Sequence, residues 1–343
     1  IYEQLIRPGI LEPFNREVIE TKSWFNCGEP CPGVCKKRHI TKKIDYEPYS
    51  SAGPNMGVFN FRDVESVVHR IDTLGFDAIE FGTIASWILE CLDNGLLKST
   101  DFFLDVETTF DPEKFMKKAG EYSCKNALFI RHLAYMVVAR DGIGEAVADG
   151  MRIGARKLDK MFKHRLKGKS FKDFAVYLAH GKDGSLAPSQ YWVPGLFAPI
   201  PLPHLSKTYY KMDVWDPVEL GKDIAKRYVT ELGIDELGIC RFHRGWAEKV
   251  GGDLMVEVSG IDLDDHARGL GRRILDYNKK AGARPVFWES RRVKDIIYNY
   301  LIDFNNISPN KELGNWVHRF GNSLDVNARK YWSKIRDSFE AAV

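Results

Sequence analysis

The chain has 343 residues, 44% of them apolar and 28% charged, enough for about two domains at roughly 150 residues each. Those proportions exclude disorder and a mini-protein, and no apolar run approaches the ~18 residues of a membrane-spanning helix. Lysine and arginine number 50 against 47 aspartates and glutamates, and a net charge of +3 is too small to imply nucleic acid as a partner.

Residues 1 to 60 open at Ile1 with no signal segment and mix short apolar stretches with Gly, Pro and Asn. The segment is expected to be built of loops and to form a site, and the chain to be part of something longer or one subunit of it. From Asn60 the spacing becomes helical: Val64, Val67, Val68, Ile71 and Leu74 make one stripe, and Ile84, Trp87, Ile88, Cys91 and Leu92 a second that stops at Asn94-Gly95. Two helices joined by a tight glycine turn are expected. Further helices are expected over about 122 to 140, 143 to 162, 217 to 232, 263 to 281, 289 to 304 and 324 to 341. The helix from 217 has Asp216 as cap, Pro217 in the first turn and Glu219 placed to reach back. Residues 183 to 216 carry Pro188, Pro194, Pro199, Pro201 and Pro203 among aromatics, which suits a long ordered loop and a channel wall. The fold class is mainly α with irregular functional loops, divided at 1–120 and 121–343.

Six cysteines are too few to staple a chain of this size. Cys27, Cys31 and Cys35 lie four positions apart in a Gly/Pro-rich stretch, where turns let thiolates converge on one iron-sulfur cluster or on zinc in a reducing compartment, the cytoplasm. Cys240, in the polar segment Asp235-Glu-Leu-Gly238-Ile-Cys240-Arg-Phe-His243-Arg244, is the fourth candidate. Cys91 and Cys124 fit packed small hydrophobes on helices.

A second pattern accompanies the cysteines. Asp72-Thr-Leu-Gly75-Phe-Asp77 and Asp235-Glu-Leu-Gly238-Ile-Cys240 repeat one phrase: a carboxylate three residues before a glycine, then an apolar anchor and a ligand-type side chain. Such a carboxylate can accept hydrogen bonds from an amino-pyrimidine edge, and the glycine lets backbone approach a flat ligand. Two copies suggest two similar ligands.

Together these residues resemble the tungsten-containing aldehyde ferredoxin oxidoreductases. Longer stretches, among them Glu12-Pro-Phe-Asn, Tyr46-Glu-Pro-Tyr49, Cys240-Arg-Phe-His-Arg244 and Pro285-Val-Phe-Trp288, are similar to the branch acting on glyceraldehyde-3-phosphate. The resemblance implies helical domains 2 and 3 of that fold, without the amino-terminal β-rich base domain, which a separate segment or chain would supply. It implies Cys27, Cys31, Cys35 and Cys240 as ligands of a 4Fe-4S cluster. Asp72, Gly75, Asp77, Asp235 and Gly238 would contact a tungsten bis-molybdopterin, whose phosphates a magnesium ion bridges. Glu47 matches the family's active-site glutamate as general base, and Tyr177 or His180 would take part of the proton-transfer role. The implied reaction oxidises glyceraldehyde-3-phosphate to 3-phosphoglycerate and passes electrons to ferredoxin. Arg241, His243 and Arg244, with Lys182 next, are candidates for the substrate phosphate. Lys36-Lys-Arg38 and Lys42-Lys43 are candidates for docking acidic ferredoxin. The rival readings are another aldehyde or an aromatic acyl-CoA, and a non-catalytic iron-sulfur electron-transfer subunit.

Overall fold

A computed structural model of the chain describes residues 1–21, 44–104, 107–109, 111–185, 214–240 and 243–343, with the backbone alone of 23–25, 36–39, 42–43, 46, 186, 200–201 and 208–209. The architecture is mainly α, as expected, and each described strand is short. No helix among the described residues is long and apolar enough to cross a membrane. Two compact units part after Val176. The expected division at residue 120 falls inside a long helix, α5 (Pro112–Ala139), which packs on its neighbours within the first unit.

The first unit does not begin as loop. Residues 2–19 form a continuous helical stretch, wider-wound over Tyr2–Leu11 and Asn15–Ile19 with α1 (Glu12–Phe14) between them. Glycine and proline pointed the other way, but Leu5, Ile6, Ile10, Phe14 and Val18 recur about every four positions and are all buried, so tertiary burial overrides local propensity. Three antiparallel strands follow: β1 (Ser23–Phe25), β2 (Lys36–His39) and β3 (Lys42–Lys43). Next come α2 (Tyr46–Ser51), α3 (Phe61–Thr73) and α4 (Ala78–Asp93). Asn60 caps α3, accepting from the backbone N–H groups of Arg62 and Asp63 at 3.0 and 3.2 Å. The α3 stripe of Val64, Val67, Val68 and Ile71 is buried, and the Trp87 indole of α4 donates to the Phe171 carbonyl at 2.9 Å.

α5 starts ten residues before the expected 122, with a non-helical Lys118 marking a kink. Its buried Asn126 donates to the carbonyls of Met56, Gly57 and Thr109 at 3.1–3.2 Å, tying two irregular segments to the helix. The single helix expected over 143 to 162 is two, α6 (Ile143–Val147) and α7 (Met151–Met161), because Gly150 at φ +89° turns the chain between them. α8 (Phe171–Phe174), with a Ser170/Asp173 capping box, closes the unit.

In the second unit β4 (Leu178–His180) pairs antiparallel with β5 (Gly184–Leu186), and β6 (Ile200–Pro201) with β7 (Thr208–Tyr209). Of the expected channel wall at 183 to 216, residues 187–199, 202–207 and 210–213 lie outside the described residues. Asp216 caps α9 (Pro217–Glu236) as expected, accepting from Val218 and Glu219 at 2.9 and 3.1 Å. Glu219 pairs with Lys222 at 2.8 Å. Then come α10 (Arg244–Ser259), α11 (Leu263–Lys280), α12 (Arg291–Ile307), α13 (Lys311–Asn322) and α14 (Leu324–Ala342). Helix α9 lies against α14 so closely that a Cβ at Gly221 would stand 2.5 Å from the Ile335 carbonyl oxygen.

A buried ammonium holds α12 to α14: Lys294 donates to Asp325. That hydrogen bond keeps the Asp325 carboxyl below its usual range. A depressed folded pKa contributes stability that is present above the unfolded value of about 3.9 and is lost as pH falls through the folded one. Below about pH 4 the urea midpoint of the native chain is therefore expected to fall more steeply than that of Asp325→Asn, and parallel curves would remove the pair from the acid response.

Candidate functional site

The two repeated phrases fold into the same local structure. Asp72 lies in the last turn of α3, Leu74 ends the helix, and Gly75 takes φ +81°. The Gly75 N–H bonds to the Asp72 carbonyl at 3.0 Å and the Phe76 N–H to the Ile71 carbonyl at 3.2 Å. In α9, Leu237 ends the helix and Gly238 takes φ +65°, with Gly238 bonded to Asp235 at 3.0 Å and Ile239 to Ile234 at 3.4 Å. Each is a left-handed glycine cap with a backbone bond spanning six residues. Both aspartates and both glycines are exposed, and a Cβ on either glycine would meet no atom within 4 Å.

Carboxylates are misplaced here for local stability. The end of a helix is the negative pole of its macrodipole, where an acidic side chain costs roughly 0.3–1 kcal/mol relative to a favourably placed charge. The two aspartates occupy the same position at two such ends. An exposed acceptor beside open glycine backbone is what an amino-pyrimidine edge requires, so these residues fit a pterin.

Around the first cap the structure brings together three of the expected elements. α2, which carries half-buried Glu47, packs on both α3 and α4. Burial pushes the hydroxyl of Tyr49 upward, and the charges of Glu65 and Asp72 add to the effect. Asp77 does a structural job that the phrase alone does not reveal: it caps α4, accepting from Ile79 and Glu80 at 3.0 and 2.7 Å. Partial burial and the neighbouring Asp77 raise the Glu80 carboxyl. On α2, Ser51 donates to the Ile79 carbonyl at 2.9 Å, while the Ser50 hydroxyl is buried with no hydrogen-bond partner. Neither serine stood out in the sequence, since serine in a turn-rich stretch carries no signal.

Cys27, Cys31 and Cys35 lie outside the described residues, as do Arg241 and the side chains of Lys36, Lys37, Arg38, Lys42 and Lys43. The strand ends that flank the three cysteines in sequence, Phe25 and Lys36, are paired partners of β1 and β2. Cys240 is exposed, and its carbonyl accepts from the His243 N–H at 2.8 Å. The His243 ring lies 6.0 Å from that of Trp246, and Arg244 is exposed. Among the described residues no three His, Cys, Asp or Glu side chains gather as a metal site. Cys91 is fully buried and its thiol is pushed upward by burial, as an inert core residue should be. Cys124 departs from expectation. It is exposed in the middle of α5, whose buried face there is made by Ser123, Asn126, Ala127 and Ile130.

The expected proton-transfer pair lies in the second unit. Tyr177 is buried and its hydroxyl donates to Glu289 at 2.8 Å. Half-buried His180 ends β4, where Gly181 bonds to the Arg284 carbonyl at 2.9 Å and lies against Gly282, just past the carboxyl end of α11. The second cap lies at the other end of that helix, since Gly233 packs on Leu263. The 18 residues of α11 span about 25 Å. Tyr177 and His180 are thus remote from Asp235 and Cys240, a separation that sequence spacing cannot express. Lys182 is exposed at the same remote end. Beside them Trp288 is buried with an indole N–H that has no partner.

Residues 12–291 match the family described as aldehyde ferredoxin oxidoreductase, domains 2 and 3. The chain is 37% identical over 345 aligned residues to a glyceraldehyde-3-phosphate:ferredoxin oxidoreductase of Pyrococcus furiosus, covering 99% of this chain and 52% of that protein. It is 39% identical over 328 residues to an uncharacterized protein of Methanocaldococcus jannaschii, covering 92% and 51%. A third relative, the WOR-like subunit of an aliphatic sulfonate oxidoreductase of Pyrococcus furiosus, is 27% identical over 299 residues, covering 80% and 42%. The chain spans about half the length of the curated relatives it matches. Matched along most of its length, with the helical architecture and paired caps described above, this chain belongs to the aldehyde ferredoxin oxidoreductase family and carries its domains 2 and 3.

Proposed function

We propose that the chain forms the cofactor-holding part of a tungsten-dependent oxidoreductase that converts glyceraldehyde-3-phosphate to 3-phosphoglycerate and passes the electrons to ferredoxin. The observation that carries this reading is the duplicated cap: Asp72 with Gly75 and Asp235 with Gly238 offer the same exposed acceptor and the same open backbone twice. A protein holding a cluster alone needs neither. The likeness to a relative named for this aldehyde supports the choice of substrate.

In this reading Asp72 and Asp235 would accept from the two pterins, Asp77 would hold the start of α4 beside the first, and magnesium would neutralise the charge of the pterin phosphates. Cys27, Cys31, Cys35 and Cys240 hold the 4Fe-4S cluster. When bound, the tungsten bis-pterin supplies a two-electron acceptor, and the cluster supplies the one-electron exit that ferredoxin requires. Glu47 accepts a proton from the water whose oxygen enters the carboxylate product. Arg241, His243 and Arg244, adjacent in sequence to a cluster ligand, serve the substrate phosphate, for which guanidinium forks are suited. Tyr177 or His180 takes part of the proton transfer, from the end of α11 opposite the second cap. The basic residues of β2 and β3 serve ferredoxin docking, and the pterin base comes from an amino-terminal segment or separate chain.

Anaerobic elemental analysis, with any co-purifying chain retained, is expected to return about four iron atoms to one tungsten, and glyceraldehyde-3-phosphate to reduce ferredoxin through that preparation. Zinc without iron or tungsten would overturn the reading.

A further inference from the structure

A groove of about 610 Å³ runs between α13 and the start of α14. Four exposed cations line it: Arg319, Arg329, Lys330 and Lys334. Its floor includes Trp316, over whose ring the Arg319 guanidinium lies at 5.4 Å, and Arg329 stacks over the Phe287 ring at 4.2 Å. The carboxylate on the rim, Asp325, is held by Lys294 and acts on Arg329 only at longer range. Among the described residues none of the four cations forms a salt bridge. Neighbouring cations behave differently: Arg336 pairs with Asp337, Arg284 with Glu340 and Lys222 with Glu219.

Four like charges kept unpaired around one concavity repel each other, at a cost that a bound anion removes. The volume is that of a small-molecule site. Two guanidinium forks oriented by aromatic rings and two mobile ammonium groups suit a dense, multiply charged anion with many acceptor oxygens better than a single carboxylate. The groove is also distant from the second cap. It adjoins a second concavity, sharing Lys334, that is lined by Val218 and Lys222 at the start of α9. The Asp235 phrase ends that helix, about 25 Å away along its axis.

We propose that this groove is a binding site for an anion carrying two or more phosphoryl groups, separate from the aldehyde site. The inference rests on this cationic cluster alone and stands whether or not the cofactor reading holds. Polyphosphate and a nucleoside triphosphate present the same chemistry, so both are used as probes. Isothermal titration of the purified protein, with any co-purifying chain, is run with inorganic triphosphate at about 50 mM salt, where surface charges are little screened. Saturable binding of one triphosphate per chain is expected, at least ~10-fold tighter than orthophosphate. Lys330→Gln/Lys334→Gln is expected to weaken it at least ~10-fold, while the exposed pair Lys279→Gln/Lys280→Gln leaves it unchanged. Adenosine triphosphate binding more tightly than triphosphate identifies a nucleotide, and equal affinity identifies the phosphoryl chain; each supports the proposal. Unsaturable binding, equal weakening in both double variants, or capture of polyglutamate in preference to triphosphate overturns it.

Discussion

Replacing Asp72 or Asp235 by asparagine is expected to weaken pterin retention without unfolding the protein. Asparagine keeps the size of the side chain and one acceptor oxygen but removes the charge, and charge-assisted hydrogen bonds are roughly twice as strong as neutral ones. A loss of about 0.8–1.5 kcal/mol per site, half of a charge-assisted bond, corresponds to retention roughly 4- to 12-fold weaker. The substitution is isosteric and lies at an exposed helix end, so the unfolding midpoint should change by the equivalent of less than about 1 kcal/mol. Both positions are exposed and followed by a left-handed glycine that the substitution does not touch. Pterin released on denaturation, read by the fluorescence of its oxidised form, should fall in each variant while iron content stays at the native level. A lowered midpoint, or iron lost together with pterin, would show that the aspartates serve the fold.

The legible parts of the molecule were those whose signals are local. Asn60 and Asp216 cap helices at the expected positions, and the buried stripes on α3 and α4 follow their spacing. The two Asp-x-x-Gly phrases read correctly as a repeated unit because a helix end and a left-handed glycine involve only six consecutive residues. What failed was non-local or weakly patterned. The opening helix is held by burial of widely spaced apolar residues in spite of Pro8 and Pro13. Helix α10 buries only Ala247 and Gly251, so it has no apolar stripe to find. Helix α13 had a readable signal, Asn310 as cap followed by buried Leu313, Trp316 and Phe320, which its short length obscured. Asp77 fits a ligand by type and position, and its carboxylate also caps α4, a job the phrase alone does not reveal. The distance between His180 and Cys240 is set by how α11 lies against its neighbours, and no spacing in the sequence encodes that.

Gly82→Ala is expected to destabilise the first unit and impair the site together, because the backbone at this glycine is where α4 meets the helix that bears Glu47. Alanine has the better helix propensity by about 1 kcal/mol, and on that ground alone it would stabilise α4. The added methyl, however, would stand 2.3 Å from the Ser51 hydroxyl and 2.8 Å from its carbonyl oxygen. A hydroxyl can rotate away; a carbonyl moves only with its backbone, so α2 must shift from α4. Such overpacking costs about 1–3 kcal/mol, enough to offset the propensity gain at its upper end. It also breaks the hydrogen bond that the Ser51 hydroxyl donates to Ile79, 2.9 Å in the native structure, at roughly 1 kcal/mol more. The expected result is a urea midpoint lowered by the equivalent of about 2 kcal/mol and an aldehyde turnover reduced more than ~10-fold, since a displacement near 1 Å at a reacting group is sufficient for that. Ser51→Ala separates the two effects. It removes the hydrogen bond and leaves the backbone contact intact, so it should cost only about 1 kcal/mol and little activity. If Gly82→Ala lowers stability with turnover unchanged, α2 tolerates the shift and Glu47 is not the base.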